Sequence, residues 1–107
     1  MIYVLGQATQ VNGTTPVWTL SGICSSAEKV NTGTYAINID LSSLPNIEKK
    51  DLVILVSAER GNTGTERLTI NWSQEDNNRF LVKNYTGYNS TTLGDCMLTV
   101  TILANIG

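Results

Sequence analysis

Residues 33–44 read GTYAINIDLSSL, with Tyr35, Ile37, Ile39 and Leu41 apolar at every second position and Ala36, Asn38, Asp40 and Ser42 between them. Successive side chains of a strand point to opposite faces. The stretch therefore reads as a β-strand with one face for a core and the other for water or a partner.

The same punctuation continues on both sides. Upstream, Ile23 to Val30 is a strand candidate, and Asn31-Thr32-Gly33 joins it to the quoted strand as a hairpin with a short glycine-bearing loop. Before it stand Ile2 to Ala8 and, after Asn12-Gly13 and Pro16, a short strand from Val17 to Leu20 closed by Gly22. Downstream, Ser42 to Lys50 is a polar connection with room for one helical turn. Residues 51–59, DLVILVSAE, carry five apolar residues in a row, the pattern of a strand covered on both faces. Arg67 to Ser73 sets Leu68, Ile70 and Trp72 on one side, Phe80 to Tyr85 follows, and Met97 to Leu103 sets Leu98, Val100 and Ile102 on one face. About eight short strands with turns of Gly, Asn, Asp, Ser and Thr predict one all-β domain over residues 1–107. The expected architecture is an antiparallel β-sandwich, with jelly-roll and immunoglobulin-like arrangements as its variants.

Composition narrows the function classes. Only 15% of the 107 residues are charged, against roughly 25% in an average soluble domain, and Thr, Asn, Ser and Gly fill about two fifths of the chain. A surface of hydroxyls and amides suits a secreted or particle-exposed protein more than a cytosolic enzyme. The net charge is −2 and the seven basic residues form no run beyond Lys49-Lys50, so nucleic-acid binding through a basic stripe is not expected. No window approaches 18 apolar residues, so no membrane span is expected, and the opening MIYVLGQATQ reads as a strand rather than a signal peptide.

The chain has no histidine, which removes Ser-His-Asp and Cys-His nucleophilic sites and the commonest zinc ligand. Glu59 with Glu66, and Glu75 with Asp76, are the carboxylate pairs available for glycoside hydrolysis, but both stand at strand ends or turns, where acids ordinarily solvate the chain. Glu75, Asp76, Asn77 and Asn78 offer oxygens without the DxDxDG spacing of a calcium loop. No catalytic residue, metal site or cofactor is expected. Cys24 and Cys96 are read as two buried, unbridged side chains; a bridge between them would close a long loop.

What remains is a partner surface. Trp18, Tyr85 and Tyr88 are aromatic candidates for contact with a glycan or a neighbouring subunit. In the opening segment Ile2 and Val4 lie on one side and Tyr3 and Leu5 on the other, so one core can cover only one set. An unpaired apolar strand there needs a cover. The four residues are expected at a subunit or particle contact; an inner strand covered by the same chain is the alternative.

The order of elements also carries a resemblance. NTGTYAINIDL resembles the G-x-Y-x-I-x-(F/L) strand of the terminal domains of bacteriophage tail fibres and related virion adhesins, with Ile39 at its last position. DLVILVSAE, the F-x-V strand in FLVKNYTG, and the Asp-x-x-(F/L)-x-V-x-I strand in DCMLTVTI follow in the same order, over approximately residues 22–104. Gly33, Tyr35, Phe80, Val82 and Asp95 carry the likeness. It implies a non-enzymatic virion structural protein, whether capsid decoration, head-fibre or tail-fibre component. Such a protein is assembled in the host cytoplasm, exposed extracellularly, and partnered by copies of itself, other virion proteins or a host-surface glycan. A carbohydrate-binding module using the exposed aromatics is the other reading.

Overall fold

A computed structural model describes residues 1–11, 15–59, 66–73, 78–86 and 91–105. Eight strands form two four-stranded antiparallel sheets packed together as a β-sandwich. The first sheet has the order β2-β1-β8-β5, from Val17–Gly22, Ile2–Val11, Met97–Asn105 and Leu52–Glu59. The second has the order β3-β4-β7-β6, from Cys24–Asn31, Thr34–Ile39, Arg79–Thr86 and Glu66–Trp72.

The alternation in the quoted stretch settles the core as its pattern predicts. Tyr35, Ile37 and Ile39 of β4 are buried, and Leu41 packs partly buried beside them. Phe80 and Val82 of β7 meet them from the same sheet, and Leu98, Val100 and Ile102 of β8 from the other. Leu68, Ile70 and Trp72 of β6 pack against this cluster, Trp72 edge-on to Phe80 at 5.1 Å between ring centres. The outward residues Asn38 and Asp40 are half-buried and exposed, but Ala36 is fully buried where the register flanks it with Glu28 and Leu81.

The two hairpins before and after residue 23 belong to different sheets, and the switch is made at glycines. Gly22 has a φ of +60°, and a Cβ there would run into the Leu5 carbonyl oxygen and the Gly6 Cα. The backbones touch here because β1 carries a bulge between Val4 and Gly6, and Leu5 O accepts a hydrogen bond from Ile23 N at 3.0 Å. Gly33, with φ +63°, closes the two-residue turn between β3 and β4. The connection from β4 to β5 is irregular and ends in a single 3-10 turn, Lys49–Asp51, where Glu48 N donates to the Asp51 carboxylate at 2.9 Å.

Two expectations are corrected. β5 is not covered on both faces: it is the edge strand of its sheet, Leu52, Ile54, Val56 and Ala58 pack toward the core, and Val53 and Leu55 face outward and are about half exposed. The apolar run marks an uncovered outer face. The opening strand is not unpaired either. β1 lies between β2 and β8, paired to β8 from Ile2 and to β2 from Gly6, because Gly6, Ala8 and Gln10 are buried on its inward side.

The core register is open to a direct check. Ile39→Ala should cost roughly 2–4 kcal/mol in chemical denaturation, and Asn38→Ala under about 1 kcal/mol, because only the first opens a cavity. Equal losses would mean that both faces of β4 are core.

Candidate functional site

Two features stand out once the strands are placed: a polar network at one end of the sandwich, and an outer face on the first sheet whose described side chains carry no charge.

The network is centred on Asp95, in the segment that returns the chain to β8. Its Oδ2 accepts from Lys29 Nζ at 2.8 Å, and its Oδ1 from the Gly33 backbone N–H at 2.8 Å and the Tyr35 hydroxyl at 3.4 Å. The single proton of that hydroxyl is shared with Cys96 O at 3.2 Å, and its oxygen accepts from Cys96 N at 3.1 Å. The buried Gln10 side chain donates to Cys96 O at 2.7 Å, and the buried Asn84 side chain donates to Gly94 O at 2.7 Å. Gly33 is required by space as well as by φ: a Cβ there would stand 2.6 Å from Gly94 N.

Burial pushes the Asp95 carboxyl up, but the hydrogen bonds from Lys29 and Gly33, the Lys29 charge and the Tyr35 hydroxyl outweigh it, and the net direction is down. Burial drives the Tyr35 hydroxyl far above its ordinary range and the Cys24 thiol up to about 11. Near neutral pH the Asp95 carboxyl is thus held ionised and the Tyr35 phenol held neutral. No bridge joins Cys24 and Cys96, both of which are buried. Gly33, Tyr35 and Asp95, three of the five residues that carry the tail-fibre resemblance, meet in this network, and Phe80 and Val82 lie in the core beside it.

The outer face of the first sheet is built differently. Ile2, Val4, Val53 and Leu55 are 67%, 61%, 52% and 53% exposed. Register sets Val4, Leu103 and Val53 in one row across β1, β8 and β5, and Gln7, Thr101 and Leu55 in the next. A row of Thr19, Thr9, Thr99 and Ser57 crosses the middle of the sheet, and exposed Val11 and Val17 pair at the far end. Among the described outward side chains of these four strands none is charged; a positive charge, the Met1 amino group, stands at the rim and donates to Asn105 Oδ1 at 3.1 Å. The second sheet presents the opposite chemistry. Its outer face carries Glu28 paired with Arg79 at 3.3 Å, Lys83, and Arg67 stacked over Tyr85 at 4.4 Å.

The partner candidates separate accordingly. Ile2 and Val4 join the outer face of the first sheet, while Tyr3 and Leu5 turn to the other side of β1, Tyr3 at the exposed end and Leu5 against the core. Trp18 faces inward on β2 and packs edge-on to Tyr35 at 6.1 Å. Tyr85 lies on the second sheet beneath Arg67, and Tyr88 lies outside the described residues, as do Glu75, Asp76 and Asn77. The side chains of Glu59 and Glu66 also lie outside them. Val53, Leu55 and Leu103 were not among the candidates. The signal for Val53 and Leu55 was the apolar run in DLVILVSAE, which exceeds what one core face can absorb.

Comparison with protein-family models, curated proteins and solved structures finds no match for this chain. The described residues contain no helix long and apolar enough to cross a membrane.

A depressed carboxylate pKa contributes stability that is present above the unfolded value of about 3.9 and lost as pH falls through the folded value. The melting temperature should therefore drop as pH falls from 5 toward 3, and Asp95→Asn should cost roughly 2 kcal/mol at pH 7 and flatten that drop. An unchanged acid slope in the variant would show that the Asp95 carboxylate does not hold the strands together.

Proposed function

We propose that the protein is a non-enzymatic structural component that works by assembly, burying the outer face of its first sheet against a neighbour in a larger particle. One observation carries this reading: the row Val4–Leu103–Val53, with exposed Ile2 and Leu55 beside it, on a sheet face whose described side chains bear no charge. Contiguous apolar surface of this kind marks an interaction site, because leaving it in water forgoes burial at about 25 cal/mol per Å². The resemblance of the strand order to virion adhesins supports placing the neighbour in a bacteriophage particle, as a decoration, head-fibre or tail-fibre component.

Glycan binding is the weaker reading. A sugar platform needs exposed aromatic rings on one surface, and here Trp18 is turned to the core and Tyr85 sits under Arg67 on the opposite sheet.

The test is association with particles. In bacteriophage purified from an infected culture that yields this chain, the protein should co-sediment with the particles. Leu55→Lys should lower the bound fraction about tenfold or more by burying a charge at the contact. The same change at an exposed position should leave the melting temperature within a few degrees. Recovery of the wild-type chain only in the soluble fraction, or undiminished association of the variant, would overturn the reading.

A further inference from the structure

Resting on the assembly reading, we infer that the neighbour on the first sheet's outer face is a second copy of this chain, the two copies packed sheet to sheet about a two-fold axis that runs along β8.

Charge selects a like partner. A second copy presents the same charges as the first, so a face can meet itself only where those charges are absent or balanced. The first sheet's described outer side chains are uncharged, whereas the second sheet's described outer face carries Glu28, Arg67, Arg79 and Lys83, charges that its own image would present again.

Geometry then fixes the axis. β2 ends where Gly22 pairs with Gly6, so at the Val4 end the sheet is three strands wide and β8 is its middle strand. A two-fold along β8, lying in the plane between facing copies, sets Leu103 against its own counterpart and Val4 of each copy against Val53 of the other. Every member of the apolar row then meets an apolar side chain. An axis across the strands would instead set this row against the opposite end of the partner's face, and the row-to-row match would be lost.

The area reaches what a specific contact needs. The axis along β8 sets three strands, β1, β8 and β5, against their counterparts, and with strands of eight and nine residues at about 3.3 Å per residue and about 4.8 Å between strands the facing area measures roughly 14 by 28 Å. With side-chain relief it offers on the order of 500 Å² per copy, about 1,000 Å² in all, the size at which specific interfaces begin. Sheet faces pack at about 10 Å separation, and the axis sets Thr99 against its own counterpart and Thr9 of each copy against Ser57 of the other, hydroxyl to hydroxyl.

Sedimentation equilibrium tests this. The wild-type chain should run at twice the monomer mass at tens of micromolar. Val4→Asp and Val53→Lys should each run as monomers with an unchanged circular dichroism spectrum, because each sets a bare charge against a valine. An equimolar mixture of the two should regain the dimer, since Asp and Lys then face each other on one side of the axis and Val4 and Val53 remain on the other. Asn71→Lys, exposed on the second sheet, should leave the wild-type dimer intact. A monomeric wild type overturns the dimer, even where the chain still binds particles and the assembly reading stands. A dimer that survives Val53→Lys, or a mixture that stays monomeric, overturns this face and this axis. A dimer that behaves as described but never associates with particles upholds the inference and removes the particle reading instead.

Discussion

The carboxylate of Asp95 is the constraint on which the sandwich depends. Strands within a sheet are held by their ladders, but the relation between two sheets rests on packing and on the few polar groups that cross between them. Asp95 and Cys96 lead into β8, in the middle of the first sheet, and bind Gly33, which leads into β4, and Tyr35 of β4 itself, in the middle of the second. Gln10 adds β1 through Cys96 O. Three inner strands are thus fixed at one end by hydrogen bonds to partly or fully buried atoms, each of which would be costly to leave unmade. The hydrophobic cluster of Tyr35, Ile37, Phe80, Val100 and Ile102 then fills the space whose shape that end defines.

Much of this fold was legible in the sequence, because strand alternation is a local signal. Tyr35, Ile37 and Ile39, and Leu98, Val100 and Ile102, announce their buried faces at a spacing of two, and the turns announce themselves through Asn, Gly and Asp. The failures are physical as well. Five apolar residues from Leu52 to Val56 look the same whether the second face is covered by this chain or by a neighbour, so an edge strand with an uncovered outer face read as an inner one. The opening strand misled in the opposite sense: its inward residues are Gly6, Ala8 and Gln10, small or polar, so nothing in their composition announces a central strand.

The candidate site was less legible than the fold. Ile2 and Val4 could be named from the opening segment alone, but Val53 and Leu103 stand 49 and 99 residues beyond Val4 in the chain, and only the pairing of β1, β8 and β5 brings the row together. Register is set by long-range pairing and cannot be read from any one strand. The Asp95 network was hidden for the same reason, its members Lys29, Gly33 and Tyr35 standing 60 residues or more before it.

The two outer faces divide the molecule's work. The second sheet keeps its edge and face charged, as a surface meant for water does, while the first leaves aliphatic and hydroxyl side chains uncovered. That the first face is buried in the assembled protein is the central claim. Hydroxyl-radical footprinting of the purified chain at low and high concentration tests it most directly. The account requires oxidation of Val4, Val53, Leu55 and Leu103 to fall on concentration while that of Leu81 and Tyr85 on the second sheet holds steady. Protection of Leu81 and Tyr85, or no concentration dependence at Val53 and Leu103, would contradict it.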